Sequence, residues 1–121
     1  MKRLARAVAA LTLLLAFAAS VTASNTPLVA DKIVVIKSER KLMLLNEGTV
    51  VRTYPIALGR NPEGHKEVRG DGRTPEGLYV IDRRDPDSYF HRSLHISYPN
   101  MFDIENAQKT GKQAGGSILI H

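Results

Sequence analysis

Short apolar runs, separated by turns rich in glycine and proline, place the strongest constraint on the fold of this chain. Residues 33–36 are a continuous run of β-branched side chains, which is typical of a strand buried on both faces. Similar signals predict further strands at residues 41–45, 49–57, 78–81, 94–97 and 117–120. Pro55 cannot donate a hydrogen bond to a neighbouring strand, so this end of the third strand should lie at a sheet edge or a bulge.

One short helix is predicted beside these strands. Asn100 can cap a helix that runs from Met101 to about Lys109 and is stopped by Gly111. The sequence contains no internal repeat and no low-complexity tract. We therefore expect one mainly β domain, of the β-rich α+β class.

The N-terminal residues have the features of an export signal. Residues 1–6 are basic, the following segment to Val21 is apolar, and small residues precede a cleavage position after Ala23. This apolar run is shorter than the ~20 residues of a spanning helix, although an uncleaved anchor stays an alternative. We expect residues 1–23 to be a signal peptide and 24–30 a linker, in a protein of the bacterial periplasm or cell envelope.

Charge and cysteine content limit the partners and the means of stabilisation. The formal net charge of the whole chain is +5, and removal of three basic residues with the signal leaves +2. Export argues against nucleic acid as a partner, whereas a mild positive balance suits an anionic wall polymer. Membrane contact is expected only through the export signal. Because the chain has no cysteine, a hydrophobic core has to hold the domain without disulfides.

A long polar loop at residues 59–76 is a candidate functional segment, because long loops in compact domains are more often functional than incidental. Residues 59–66 approach the phosphate-binding P-loop pattern. His65 stands where that pattern requires lysine, and no helix follows. We therefore expect a flexible loop on the substrate side.

Other motifs give weaker signals. His91 and His95 have a spacing that suits a metal only on a helix, and a zinc site needs at least three protein ligands. Residues 85–88 resemble the start of a calcium loop without its later acidic ligand. A pair of acids for glycoside hydrolysis could come from Asp71, Glu76, Asp82 and Asp85, but a solvated surface charge is the better explanation for each of them. No metal and no cofactor is predicted, and an unrelated exported metal-binding or hydrolytic domain stays an alternative.

Several sequence blocks taken together are more specific. The turn Thr74-Pro75-Glu76-Gly77 followed by Leu78-Tyr79 belongs to a set that occurs in order at residues 30–35, 52–59, 70–79, 94–100 and 115–121. This set resembles the L,D-transpeptidase catalytic domain of the YkuD type, particularly its short exported branch. The resemblance runs from about residue 31 to the end, so residues 31–121 are expected to be a partial catalytic domain.

The resemblance implies a fold and a chemistry. The fold would be a β-sandwich with a short helix, incomplete at its C-terminus. In this family a strand ending in histidine precedes a Ser/Thr-x-Gly-Cys motif, and the cysteine attacks a carbonyl of a peptidoglycan stem peptide. By position His121 corresponds to that histidine, which activates the thiol. The Gly-Cys block has no counterpart in these 121 residues, so this polypeptide is expected to be inactive.

The same resemblance suggests substrate contacts and partners. His95, Ser97 and Tyr98 are candidates to line the substrate groove, and Arg73 could bind a stem-peptide carboxylate. The partners would be peptidoglycan stem peptides and a wall-attached envelope protein, with water as a third acyl acceptor. Two alternatives stay open: a non-catalytic peptidoglycan-binding module, and a related hydrolase that cleaves links between stem peptides or between stem peptide and protein.

Overall fold

The first sheet is an antiparallel meander near the start of the domain. The computed structural model describes residues 26–89 and 92–121. Its first three strands are β1 (Lys32–Ile36), β2 (Lys41–Asn46) and β3 (Thr49–Pro55), in the order β1-β2-β3. A 3-10 turn at Lys37–Glu39 joins β1 to β2. Glu47 and Gly48 both have positive φ, which is what a two-residue turn between twisted antiparallel strands requires.

The predicted strands of this sheet exist, but their environment differs from the expectation. The prediction that β1 is buried on both faces is wrong, because β1 lies at the sheet edge and Val35 is 40% exposed. The third strand ends at Pro55 instead of residue 57, and it is the opposite edge strand. The expectation that Pro55 occupies an edge is confirmed, since an edge strand tolerates a missing donor.

The second sheet contains β4 (Ile81–Asp85), β5 (Ser93–Ile96) and β6 (Leu119–Ile120), all antiparallel, in the order β4-β5-β6. The prediction of a strand at residues 78–81 followed by a polar loop is therefore wrong. The strand occupies the charged segment instead, and Leu78 is 93% exposed. Backbone pairing with β5 decides the strand position here, although all five side chains of β4 are exposed.

The helix α1 (Met101–Lys109) agrees with the prediction. The Asn100 side chain accepts a hydrogen bond from the Asp103 amide, and the Asp103 carboxylate accepts one from the Asn100 amide, each at 3.0 Å. This reciprocal capping satisfies two amide groups at the helix start. The chain leaves the helix through Gly111, whose φ is positive.

The hydrophobic core lies between α1 and the second sheet. Its buried members are Tyr98, Ala107 and Ala114, and partly buried apolar side chains pack around them: Val68, Tyr79, Ile96 and Ile118. The mainly β class with one short helix is confirmed. No helix within the described ranges has the length and apolarity needed to cross a membrane. The predicted signal peptide lies outside the described residues.

Candidate functional site

His121 follows β6 at one end of the second sheet. β6 pairs with β5 through Leu94 with Ile120 and through His95 with Leu119. If this antiparallel register is continued by one residue, His121 falls opposite Ser93. Ser93 is 4% exposed, while His121 itself is exposed. The predicted catalytic histidine thus lies on an accessible strand end beside a buried hydroxyl residue.

A β-bulge brings an acidic residue to His95. In the pairing of β4 with β5, Ile81 faces Ile96 and Arg83 faces His95, so Asp82 is the extra residue between them. The Asp82 carboxylate lies 2.5 Å from Nδ1 of His95. This hydrogen bond holds the pKa of Asp82 below its ordinary value. Because an ionised carboxylate can only accept hydrogen bonds, Nδ1 of His95 is the donor in this contact.

A cavity of about 200 Å³ opens on this face of the second sheet. Alternate residues of each strand share one face of a sheet, which explains the composition of its lining. The strand residues that line it are Arg83, Asp85, Ser93, His95 and Leu119, together with Ser117. Ser88 also lines it, and its hydroxyl is buried with no hydrogen-bond partner within residues 26–89 and 92–121.

A second cavity, of about 240 Å³, adjoins the first at Ser117. Its lining combines two basic residues, Lys66 and Arg69, with the backbone of Gly70, Gly115 and Gly116. Ser117 lines both cavities and has a positive φ of 54°, so the chain bends between them. This bend also explains why β6 begins at Leu119 and not at the predicted residue 117.

The long loop is fixed by a mostly buried carboxylate. Asp71 accepts hydrogen bonds from Nζ of Lys66 at 2.9 Å and from the amides of Glu67, Val68 and Arg73 at 2.8, 3.0 and 3.0 Å. Burial acts to raise the pKa of Asp71, but these four donors outweigh it and hold the pKa far below its ordinary value. The expected flexible loop is therefore held at its centre by hydrogen bonds.

A second buried carboxylate, Asp103, joins the loop to the helix. It accepts hydrogen bonds from Nε2 of His65 at 3.0 Å and from the hydroxyl of Tyr79 at 2.9 Å, in addition to the Asn100 amide. Nδ1 of His65 accepts a hydrogen bond from the Glu76 amide at 2.8 Å, so the imidazole proton is on Nε2. Both nitrogens of His65 are thus used within the fold.

Comparison with known proteins agrees with this architecture. Residues 30–121 match the family model of the YkuD L,D-transpeptidase catalytic domain. This chain belongs to the L,D-transpeptidase catalytic domain family. It is 28% identical over 93 residues to YafK of Escherichia coli strain K12, a protein provisionally named an L,D-transpeptidase, and YafK of strain O157:H7 gives the same values. The aligned region covers 72% of this chain but only 36% of YafK. The search of solved structures gave no significant match.

The predicted groove residues of this L,D-transpeptidase domain lie in different environments. His95 lines the cavity on the second sheet. Ser97 accepts a hydrogen bond from the Val80 amide at 2.9 Å through its hydroxyl, which ties residue 80 to the end of β5. Tyr98 is 1% exposed, and its hydroxyl donates to the Ala114 carbonyl at 2.9 Å. Substrate contact by these residues stays a prediction.

Arg73 lies within the long loop and lines neither of the two cavities. Its Nη1 is 3.5 Å from the His65 carbonyl and 3.6 Å from the Glu67 carboxylate. Its Nε is buried with no hydrogen-bond partner in the described part of the chain. A contact between Arg73 and a substrate carboxylate also stays a prediction.

Sequence reasoning missed several residues of this domain as parts of a site. From the sequence, Asp82 is only one of four acidic residues with no assigned partner. The bulge that turns it towards His95 cannot be recognised from the alternation of polar and apolar residues. Lys66 and Asp71 have opposite charges and are five residues apart in a glycine-rich loop. This spacing is the sequence signal that could have indicated their ion pair. Among the described residues, no group of three or more histidines, cysteines and acids is arranged to hold a metal. His91 lies outside them.

Proposed function

We propose that this domain is an acyltransferase of the L,D-transpeptidase type that acts on peptidoglycan stem peptides. Its chemistry would proceed through a cysteine acyl-enzyme, with His121 accepting the thiol proton. The observation that carries the proposal is the position of His121. It directly follows β6 on an exposed strand end, within a domain matched by the family model. The β5–β6 register, continued by one residue, places it opposite Ser93, which lines the same cavity as His95.

The proposed reaction begins with transfer of the thiol proton to the imidazole of His121. A thiol with an ordinary pKa near 8.5 becomes a useful nucleophile beside an imidazole. The thiolate attacks the stem-peptide carbonyl, the C–N bond breaks, and the imidazolium returns the proton to the leaving amine. The resulting thioester is then attacked by an amine of another stem peptide, by an amine of an envelope protein, or by water. Each attack releases the thiol.

The nucleophile is the part of this proposal that the 121 residues do not supply, since they contain no cysteine. A thiol therefore has to come from sequence outside them. The first test is to read the coding DNA through and beyond the codon for His121. A glycine codon followed in any frame by a Ser/Thr-x-Gly-Cys block supports the proposal, whereas a stop codon with no such block contradicts it.

The second test addresses the role of His121 in the protein that carries the thiol. We expect His121→Ala to abolish the mass increase of the cysteine adduct after incubation with a stem peptide. Lys109→Ala, an exposed change on α1, is the matched control and should leave the adduct intact. Formation of the adduct in His121→Ala at the rate of the control would overturn the assignment of His121.

We also propose a location and a domain organisation. Residues 1–23 would direct export and residues 24–30 would link the signal to the catalytic domain, which places the protein in the periplasm or cell envelope. Peptide mapping of the protein purified from the envelope fraction tests this arrangement. Mature protein that begins near Ser24 is the expected result, and intact cytoplasmic protein that retains Met1 would contradict it.

A second candidate function is a peptidoglycan-binding module without catalysis, which would use the positively charged cavity at Lys66 and Arg69 without needing a thiol. It predicts that this polypeptide cosediments with purified sacculi and that no thiol-bearing product exists. Sedimentation with sacculi together with the DNA result separates the two functions, because only the acyltransferase requires the downstream cysteine block.

A further inference from the structure

We propose that the cavity formed by Lys66, Arg69 and residues 115–117 binds a carboxylate of the stem peptide on which the His121 site acts. The proposal rests on the proposed function and extends it to a substrate-recognition site. Neither Lys66 nor Arg69 was selected from the sequence. The cavity holds about 240 Å³, several times the roughly 30 Å³ of one water molecule, so it has room for a carboxylate and the atoms that carry it.

The positive charge at this cavity is only partly neutralised. Lys66 is paired with Asp71 at 2.9 Å, whereas the guanidinium of Arg69 makes no hydrogen bond or ion pair to any described residue. The nearest other acid in sequence, Glu67, is directed to Arg73 at 3.6 Å. Arg60 brings a further positive charge to the lining residue Gly70, since its Nη2 donates to the Gly70 carbonyl at 2.8 Å. The cavity therefore presents a net positive field, which attracts an anion.

Lys66 itself has donor capacity left. Its side chain is 7% exposed, and its Nζ donates to the Val68 carbonyl at 3.0 Å and to Asp71 at 2.9 Å. An ammonium group has three N–H bonds, so one makes no hydrogen bond in these two contacts, and the other neighbour of Nζ is the Tyr98 ring, with its centroid 6.0 Å away. An incoming carboxylate would complete the set with a charge-assisted hydrogen bond.

The lining residues Gly115, Gly116 and Ser117 add backbone amides that are available as donors. Within the described ranges, the amides of Gly115, Gly116 and Ser117 donate to no protein acceptor. Gly115 has a positive φ of 86°, and a Cβ at this position would lie 3.1 Å from Cα of Arg69. Glycine is needed here because the two walls approach so closely. Unpartnered amides beside cationic side chains are a common way for proteins to hold an anion.

The walls are also held in place, which favours a preformed site. The Arg69 amide donates to the Gln113 carbonyl at 2.7 Å, and the Tyr98 hydroxyl donates to the Ala114 carbonyl at 2.9 Å. Ser117 then connects this cavity to the one beside His95. From Ser117 to His121 the chain advances four residues, at most about 14 Å when fully extended. A stem peptide can span that distance with a carboxylate at one end and its reactive carbonyl at the other.

The experiment uses acetate as a minimal probe and the 121-residue chain as the protein. We expect acetate to shift the amide NMR signals of Gly115, Gly116 and Ser117 in a saturable way. Arg69→Gln should weaken this binding roughly tenfold, the usual loss for one charge-assisted contact. Arg52→Gln removes the same charge from an exposed position on β3 and should leave it unchanged. Absence of these shifts, or an equal loss in both variants, would overturn the proposed site.

A stem-peptide series separates this site from the function itself. Each carboxylate of a soluble stem peptide is amidated in turn, and binding is measured by calorimetry. We expect one amidation to weaken binding roughly tenfold in the parent protein and to have little further effect in Arg69→Gln. If every amidated peptide loses the same affinity in both proteins, the site is wrong and the function stands. If acetate binds but no stem peptide does, the proposed function fails instead.

Discussion

Asp82 and His95 are brought together by an irregularity of the sheet, with the Asp82 carboxylate 2.5 Å from Nδ1 of the imidazole. A regular register would leave the side chains of residues 82 and 83 on opposite faces of β4. The bulge between Ile81 and Arg83 places Asp82 against the same partner residue as Arg83. An oriented histidine therefore lines the cavity on the second sheet, and bulges are often found beside such sites.

We predict that His95→Ala raises the pKa of the Asp82 carboxylate. The hydrogen bond from His95 is the main cause of its lowered pKa, so the value should move back towards the ordinary range when the imidazole is removed. Titration of the side-chain carboxyl carbon by NMR measures this change. Arg84→Ala, on the other face of β4, is the matched control. An Asp82 titration that is identical in His95→Ala and in the parent protein would contradict the pairing.

We predict that Asp71→Asn destabilises the domain by about 3 kcal/mol, because it leaves the ammonium group of Lys66 buried without its partner. The side chains of Lys66 and Asp71 are 7% and 12% exposed. Chemical denaturation measures the loss, and Asp85→Asn, on an exposed strand position, is the control. The double variant Lys66→Met with Asp71→Asn should be more stable than the sum of the single changes predicts. Strict additivity would show that the two residues are not coupled.

The lowered pKa of Asp71 also predicts how stability depends on pH. A carboxyl group whose pKa is lower in the folded state stabilises the fold above its ordinary value near 3.8 and loses that contribution as pH falls further. The free energy of unfolding of the parent protein should therefore decrease steeply below about pH 4. Asp71→Asn should flatten this decrease. Equal slopes in the two proteins between pH 4 and pH 2 would contradict the assignment.

Local sequence patterns located the helix, the first sheet and the terminal strand within a few residues, because these elements follow from apolar periodicity and from the capping residue Asn100. They failed at β4, whose side chains are charged and exposed and whose position is set by pairing with β5. The contacts of Asp103 could not be predicted from local sequence patterns either. His65 lies 38 residues away in the chain, and only closure of the long loop brings it to the helix.

We predict that Tyr79 and Tyr98 ionise late in an alkaline titration. Burial raises the pKa of both, helped by Asp103, and it raises that of Tyr98 to about 12. A group with a raised pKa stabilises the fold up to its ordinary value near 10 and loses this contribution as pH rises through the folded value. Tyrosinate absorbance should therefore appear in two phases, with the later phase accompanied by unfolding. Tyr79→Phe should reduce the late phase, Tyr54→Phe should not, and a reversal of these two results would contradict the prediction.

We predict that Lys37 holds the long loop against the first sheet. Its Nζ, on a side chain that is 13% exposed, donates to the Gly64 carbonyl at 2.8 Å, to the Thr74 carbonyl at 2.9 Å and to the Glu76 carboxylate at 3.0 Å. Lys37→Met keeps the aliphatic stem and removes all three contacts. Amide hydrogen exchange should then become roughly tenfold faster at Gly59 and Glu76, because local opening of the loop becomes easier.

The amides of Gly59 and Glu76 report on this opening directly, since they donate to the Thr74 hydroxyl at 3.1 Å and to Nδ1 of His65 at 2.8 Å. Lys41→Met is the matched control, because Lys41 forms its ion pair with Glu39 at the turn of the first sheet and reaches no part of the loop. The exchange rates at Gly59 and Glu76 should stay at parental values in that variant. Equal acceleration in the two variants would show that loss of positive charge loosens the loop, and that the three contacts of Lys37 do not hold it.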